Sequence, residues 1–387
     1  MTGRGGAGPR GLGESRDWGL ADSRAYALEF PLSSTLLTPR MAAVLERIHR
    51  ANRPSFHSLT PRQARIAYLM GAEILDLPRA PLPRIENLAI PGPAGDIPAR
   101  LYAPLTREDA AARDARGLPV LLYFHGGGFV IGSLETHDSL CRQLALRTGC
   151  AVIAVDYRLA PDHPFPGAVD DCWAALEWLA TAAAELGLDP ARIAVGGDSA
   201  GGTLAAVTAL HARDIRDRLG LSLVMQLLIT PGATAHADTD SHRRFAKGHL
   251  LDADTIAWFF NQYISTAQRE DWRFAPLQAE DHDGVAPATF ILAEADPLID
   301  EGIAYADLLR ASGNEVRLEL YRGVTHDFIK MGRSIPEAEQ ALDACADALR
   351  TAFGLPTPAP AAAPTASSSS STSSTPSTPS TSPQASA

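Results

Sequence analysis

The stretch Ile193-Ala194-Val195-Gly196-Gly197-Asp198-Ser199-Ala200-Gly201-Gly202 decides the fold. Its first residues are apolar or small and predict a buried strand, and the residues that follow Ala200 have a helical pattern. Gly-x-Ser-x-Gly therefore lies at a strand-to-helix turn, where small neighbours let the backbone approach itself closely. The start of the helix favours negative charge near Ser199. The turn predicts a nucleophilic serine, although a glycine-rich turn that merely begins a helix has a similar sequence.

Outward from this turn, apolar runs alternate with helical patterns. Runs that are apolar throughout are typical of strands buried on both faces, which indicates a parallel sheet covered by helices. The sequence predicts an α/β fold whose eight strands fall at 87–90, 97–102, 119–124, 151–156, 192–196, 223–229, 288–293 and 316–321. The predicted helices between and after them are 139–147, 168–186, 200–213, 299–311 and 336–353.

The rest of the chain divides around this core. Residues 1–25 predict a disordered extension, and 26–83 predict N-terminal cap helices, two of which begin at Thr-Pro-Arg (38–40 and 60–62). Residues 84–355 form the predicted catalytic domain, with a cap insertion at 232–273. The segment 356–387 contains only Pro, Ala, Ser and Thr apart from Gln384, so it is predicted to be a disordered tail.

Composition excludes several classes of function. Lys and Arg number 34 against 45 Asp and Glu, a net charge of −11, and this balance argues against a nucleic-acid partner. No apolar run is long enough for a membrane span. The four cysteines have no metal-ligand spacing and are typical of buried thiols in a reducing compartment, so a cytoplasmic location is expected. No cofactor or metal site is expected; the scattered histidines include His236, His242, His249 and His282, which we expect at the surface.

A second glycine motif, His125-Gly126-Gly127-Gly128-Phe129, follows the predicted strand 119–124. Successive glycines leave backbone N–H groups free to point at an oxygen that becomes negatively charged. We expect the N–H groups of Gly126 and Gly127, together with that of Ala200, to form this oxyanion site. His125 is expected to orient the loop. A merely flexible turn remains the alternative.

A carboxylate and an imidazole follow the serine along the chain. Asp296 ends the predicted strand 288–293, and His326 follows the strand 316–321. Asp296 would orient His326, which would take the proton from Ser199. Asp300 stays open as an alternative carboxylate, since an Asp before Pro often only caps a turn or a helix.

These motifs together resemble the hormone-sensitive-lipase-like branch of the α/β-hydrolases. The resemblance is carried by His-Gly-Gly-Gly at 125–128, Gly-Asp-Ser-Ala-Gly-Gly at 197–202, Asp-Pro-Leu at 296–298 and Gly-x-x-His-x-Phe at 323–328. It implies an α/β-hydrolase fold with a helical cap and the residue order Ser, Asp, His. It also implies a homodimer whose interface involves 316–321 and 336–353.

The activity that the resemblance implies is that of a serine carboxylesterase. It would hydrolyse short- to medium-chain acyl esters of small molecules through an acyl-enzyme on Ser199. Hydrolysis of amides or lactones by the same residues stays open, as does a small-molecule receptor on the same fold. Trp258 and Phe259, in the predicted insertion, either line the acyl pocket or form the core of the cap.

Overall fold

The computed structural model describes residues 36–356. The predicted extension 1–25, the first part of the predicted cap (26–35) and all of the predicted tail after residue 356 lie outside the described residues. None of the helices in the described range is long and apolar enough to cross a membrane.

The described strands form one eight-stranded sheet in the order β1-β2-β4-β3-β5-β6-β7-β8. β2 runs antiparallel to both β1 and β4, and all other neighbours are parallel, so the predicted sheet is confirmed. The strands are β1 (Arg84–Gly92), β2 (Gly95–Ala103), β3 (Leu118–Phe124), β4 (Ala151–Val155), β5 (Leu188–Asp198), β6 (Met225–Ile229), β7 (Ala288–Ala295) and β8 (Val316–Thr325).

Helices cover both faces of the sheet. The helices are α1 (Pro39–Arg50), α2 (Pro61–Leu75), α3 (Arg107–Arg113), α4 (Asp138–Thr148), α5 (Gly167–Ala182), α6 (Ala200–Asp214), α7 (Arg216–Leu219), α8 (Asp240–Arg244), α9 (Ala253–Tyr263), α10 (Ile299–Ala311) and α11 (Pro336–Ala352). Short 3-10 turns occur at Phe56–Ser58, Ala184–Leu186, Thr266–Gln268, Pro276–Gln278 and Phe328–Lys330.

The core has two layers because successive side chains of a strand point to opposite faces. In β3, Leu122 and Phe124 join the cluster that includes residues of α5, α6 and α10. Leu121 and Tyr123 join the other cluster, with residues of α1, α4 and α11. β3 is buried at every position, which explains its continuous apolar sequence.

The two helices before β1 begin as their sequence predicts. Thr38 caps α1 by accepting a hydrogen bond from the N–H of Met41, and Thr60 and Gln63 form a capping box at α2. In both helices proline occupies the first turn, where its missing N–H has no intrahelical partner. α8 and α9 lie within the predicted insertion 232–273.

Several boundaries differ from the prediction. The helix predicted at 168–186 is shorter in the structure: α5 ends at Ala182, and a 3-10 turn follows it. β8 extends to Thr325, immediately before His326. α3 was not predicted; its first turn is capped by Thr106, which accepts a hydrogen bond from the N–H of Asp109.

Candidate active site

Ser199 lies on a strained turn between β5 and α6. Its φ of 53° is a value that side chains other than glycine rarely adopt. The flanking glycines are sterically required: a Cβ on Gly197 would lie 2.3 Å from the carbonyl oxygen of Gly201, and one on Gly201 would lie 2.0 Å from that of Phe124. The turn therefore presents the Ser199 hydroxyl above the carboxyl end of the sheet.

The structure brings Ser199, Asp296 and His326 together. Nε2 of His326 is 2.9 Å from Oγ of Ser199, and Nδ1 is 2.7 Å from Oδ2 of Asp296. A carboxylate only accepts hydrogen bonds, so Nδ1 carries the proton and Nε2 is the acceptor for the serine hydroxyl. The other oxygen of Asp296 accepts the N–H of Leu298 at 2.9 Å, which fixes the carboxylate plane.

Asp300 serves a different purpose. Its Oδ2 accepts the N–H of Ser241 at 2.7 Å, and Oγ of Ser241 donates to the carbonyl oxygen of Pro297 at 2.6 Å. Asp300 therefore attaches α8 to the start of α10, and it is Asp296 that contacts the imidazole.

The environment of His326 raises its pKa. Burial of the imidazole acts to lower the pKa, since it penalises the charged form. The charge of Asp296 and its hydrogen bond to the ring act in the opposite direction and prevail, so the pKa of His326 lies above its ordinary value. The imidazole is thereby a stronger base than a free histidine side chain.

Gly126 lies close to Asp198 and His137. Its backbone nitrogen lies 3.4 Å from Nε2 of His137. A Cβ at Gly126 would lie 2.2 Å from Oδ2 of Asp198, so glycine is needed there for close packing. Gly126 therefore packs closely against Asp198 beneath the serine turn, and its part in the oxyanion site stays a prediction.

The next two glycines have free N–H groups. Within residues 36–356, no acceptor takes the N–H of Gly127 or Gly128. Both have positive φ values, 122° and 59°, and Gly128 lines the same pocket as Ser199 and Ala200. Ala200 is the first residue of α6, where a backbone N–H has no partner within the helix.

His125 has the orienting position that was expected of it. Its ring stacks on Tyr157 with 4.3 Å between the ring centroids, and Nδ1 donates to the carbonyl oxygen of Gly126 at 2.8 Å. The hydroxyl of Tyr157 donates to the carbonyl oxygen of His125 at 2.6 Å. Burial and the neighbouring His137 lower the pKa of His125 to about 3, so this ring is neutral.

A buried ionic group lies under the serine turn, and sequence reasoning did not assign it a role. Oδ1 of Asp198 accepts from the hydroxyl of Tyr123 at 2.6 Å, and Oδ2 is 3.1 Å from Nε2 of His137. Burial acts to raise the pKa of Asp198, but His137, Lys330 and Tyr123 together hold it well below its usual range. The position of Asp198 within Gly-Asp-Ser was the available signal for this group.

An apolar pocket opens beside Ser199. Phe259 contributes both to the pocket and to the core, so the two alternatives considered for it are compatible. Trp258 packs against the core and is absent from the pocket wall. The pocket is lined by Gly128, Phe129, Ser199, Ala200, Thr203, Gly232, Thr234, Leu251, Ile256, Phe259, Phe260, Phe274, Leu298 and Glu301.

Glu301 is the one carboxyl side chain in this lining. Its Oε2 accepts the N–H groups of Ala233 and Thr234 at 2.5 and 2.7 Å, and burial raises its pKa to about 7. Oε1 lies 3.4 Å from Nε2 of His242. His242 and His282 are buried, which corrects the expectation that both lie at the surface.

No group of three or more His, Cys, Asp or Glu within residues 36–356 could hold a metal ion. All four cysteines are buried thiols, as was expected of them.

Comparisons with known proteins agree with the fold. A family model described as an α/β-hydrolase fold matches residues 121–330. The chain is 39% identical over 320 residues to an ethyl acetate hydrolase of Pseudomonas putida, an alignment that covers 81% of this chain and 98% of that protein. It is 42% identical over 280 residues to the esterase LipI of Mycobacterium tuberculosis, covering 71% and 85% of the two chains.

Solved structures of similar proteins support the same assignment. An ester hydrolase from the metagenome of Lake Arreo superposes with a TM-score of 0.77 and 38% identity over 82% of this chain and 99% of that one. A hyperthermophilic esterase of Pyrobaculum calidifontis gives a TM-score of 0.75 and 37% identity, over 82% and 99% of the chains. The motifs, the sheet order and these relatives lead to one conclusion: the chain belongs to the α/β-hydrolase family, in its hormone-sensitive-lipase-like branch.

Proposed function

We propose that this protein is a serine carboxylesterase that hydrolyses short- to medium-chain acyl esters of small molecules through an acyl-enzyme on Ser199. The observation that carries the proposal is the pair of contacts made by His326, 2.9 Å to the Ser199 hydroxyl and 2.7 Å to the Asp296 carboxylate. The relatives named as ester hydrolases support the same activity.

In the first half of the reaction, Oγ of Ser199 attacks the ester carbonyl while Nε2 of His326 takes its proton. The carbonyl oxygen becomes an oxyanion, which accepts hydrogen bonds from the N–H groups of Gly127, Gly128 and Ala200. The tetrahedral intermediate then expels the alcohol, which receives the proton from His326. The acyl group remains bound to Ser199 as an ester.

In the second half, water replaces the alcohol. Nε2 of His326 takes a proton from the water, whose oxygen attacks the acyl carbon and forms a second oxyanion at the same N–H groups. The intermediate collapses, the carboxylic acid leaves, and Oγ of Ser199 regains its proton. Asp296 stays ionised throughout and stabilises the imidazolium that forms twice in each cycle.

The pocket supports an apolar acyl group. Phe259, Phe260 and Phe274 supply aromatic walls, and Leu251 and Leu298 add aliphatic ones. An apolar pocket discriminates only modestly between acyl chains that differ by one methylene group. The enzyme is therefore expected to accept a broad range of acyl chain lengths.

The domain proposal follows the sequence prediction. We assign residues 84–355 to the catalytic domain, and the described part of the predicted segment 26–83, together with the insertion 232–273, to the cap. Within the described range, α9 supplies Phe259 and Phe260 to the pocket, which supports assigning the insertion to the cap. The four buried thiols support a cytoplasmic location.

A homodimer through β8 and α11 also belongs to the proposal. β8 is an edge strand of the sheet and exposes Leu320, a large apolar side chain. Size-exclusion chromatography with light scattering tests this part, and a monomer over the working concentration range would remove it.

The activity is tested with purified protein and a series of p-nitrophenyl esters from acetate to decanoate. Ser199→Ala should abolish the hydrolysis, and a fluorophosphonate probe should label the wild type at Ser199 and leave the variant unlabelled. A wild type without ester hydrolysis, or a Ser199→Ala variant with full activity, would overturn the proposal. Matched anilides and lactones test the alternative bonds, and ligand binding without probe labelling would indicate a receptor.

A further inference from the structure

Lysine is rare in this chain, and one of its two lysines is buried beside the site. The sequence has only Lys247 and Lys330 among its 34 basic residues. Lys247 is exposed, whereas Lys330 is 4% exposed and lies four residues after His326. A buried ammonium is costly unless it is paired, so its partners indicate what it does.

The hydrogen-bond partner of Lys330 comes from the cap. Nζ of Lys330 donates to the hydroxyl of Tyr68 at 2.7 Å and lies 4.6 Å from the centroid of the Tyr68 ring. Tyr68 belongs to α2, 262 residues earlier in the chain. The pair therefore joins α2 to the segment that carries His326.

Nearby charges favour the protonated form of Lys330. Burial acts to lower the pKa of Lys330, but Tyr68, Asp327 and Asp198 together raise it above its ordinary value. Asp76, which is also buried, has a pKa raised to about 7 by burial and partly offset by Lys330.

One turn earlier on the same helix, Arg65 attaches α2 to the loop after the glycine motif. Its Nε donates to the carbonyl oxygen of Val130 at 2.9 Å, and Nη2 donates to that of Ala160 at 2.8 Å. Nη1 pairs with Asp162 at 2.8 Å. Arg65 and Tyr68 thus fix α2 to three segments: the loop after the glycines, the loop after β4 and the segment after His326.

Apolar packing holds α2 only weakly. Ala64 is the only residue of this helix that is buried, while four large apolar side chains point to solvent: Ile66, Leu69, Met70 and Ile74. A helix that buries so little apolar surface gains little from the hydrophobic effect. Its position is therefore set largely by polar contacts: those of Arg65 and Tyr68, and the N–H of Arg333, which donates to the carbonyl oxygen of Leu75 at 3.0 Å.

We propose that Tyr68 and Lys330 act as a pair of positioning residues that hold the His326 segment in register with Ser199, so that α2 is a fixed part of the catalytic apparatus. Neither side chain lines the pocket, so each acts through the segment it holds. This inference rests on the proposed esterase function. It predicts that breaking the pair slows the chemical step and leaves substrate binding nearly unchanged.

The test compares Tyr68→Phe, Lys330→Met and the double variant with the wild type, and uses Lys247→Met as the control for loss of a lysine. Each protein is assayed for kcat and KM on p-nitrophenyl butyrate, with thermal unfolding recorded alongside. A misplaced catalytic group can cost up to about 100-fold, so we expect Tyr68→Phe to lower kcat by roughly tenfold with KM within about twofold. Lys330→Met should lower kcat at least as much, and Lys247→Met should match the wild type.

The double variant decides whether the two residues act as one. If Tyr68 acts through Lys330, adding Tyr68→Phe to Lys330→Met should lower kcat no further. A multiplied loss in the double variant, wild-type kcat in both single variants, or a loss confined to KM would each overturn the inference. Should Lys330→Met fail to fold, Tyr68→Phe alone decides, because it removes a single oxygen. Failure of the esterase proposal differs from all of these, since the wild type itself would be inactive.

Discussion

The imidazole of His326 and the carboxylate of Asp296 are 2.7 Å apart, and both side chains are almost completely buried. Burial strengthens the interaction, because water does not compete for the carboxylate oxygen. The second oxygen of Asp296 is held by the N–H of Leu298, so the carboxylate cannot rotate away from the ring. The imidazole of His326 is thus held with Nδ1 toward Asp296 and Nε2 toward Ser199 before any substrate binds.

Replacing Asp296 by Asn should lower kcat by about 10⁴, because the amide favours the wrong tautomer of His326. Asp300→Asn is the matched control, since it changes the same group four residues later and keeps an oxygen for the N–H of Ser241. Steady-state hydrolysis of p-nitrophenyl butyrate measures both. Equal losses in the two variants would contradict the assignment of Asp296.

The pH dependence of kcat/KM should show an acidic limb set by His326. The reaction needs a neutral imidazole, so activity is present above the pKa of His326 and is lost as the pH falls through it. Because the charge and hydrogen bond of Asp296 raise that pKa, the midpoint should lie above the ordinary value for histidine.

Glu301 lines the pocket and has a pKa raised to about 7, so it titrates in the same range. Glu301→Gln removes this second group and serves as the control for the acidic limb. If the limb disappears in that variant, Glu301 and not His326 governs the profile.

Phe259→Ala should shift the acyl preference toward longer chains. The Phe259 ring lies directly against Gly128, where a Cβ would be only 2.2 Å from the ring. Removing the ring opens space beside the reacting carbonyl, and the kcat/KM ratio of hexanoyl to acetyl ester should rise by roughly tenfold. Trp258→Ala tests the adjacent aromatic residue outside the pocket wall and should leave this ratio unchanged while lowering stability.

The strain at Ser199 can be measured without activity. Ser199→Ala and Ser199→Gly both remove the hydroxyl, but only glycine accepts a φ of 53° without steric cost. The free energy of unfolding should therefore be about 1 kcal/mol higher for the glycine variant. Urea denaturation of the two variants gives the difference, and equal stabilities would show that the turn is unstrained.

The features predicted correctly from the sequence have local causes. The glycines around Ser199 are needed by the turn itself, and the continuous apolar run of β3 reports burial on both faces. The closeness of Asp296 and His326 was predictable because both follow parallel strands, whose carboxyl ends meet at one edge of the sheet.

The features that were missed depend on tertiary contacts. The packing of Gly126 on Asp198 brings together residues that are 72 positions apart, and no local pattern reports it. The burial of His242 depends on how α8 meets α10, and its position in a polar segment suggested the opposite. The pairing of Tyr68 with Lys330 spans 262 residues and leaves no periodic signal.

The serine turn and the glycine loop follow adjacent parallel strands, in which Phe124 of β3 lies opposite Gly197 of β5. Both strands lie inside the sheet and are closed in by neighbours on each side. Heating can separate Ser199 from the glycine loop only by unfolding the centre of the sheet. The centre of the sheet is the part of such a fold that unfolds most cooperatively. Ser199 and the glycine loop should therefore keep their relative positions up to global melting, and any earlier loss of turnover would have to arise elsewhere, for example at the weakly packed α2.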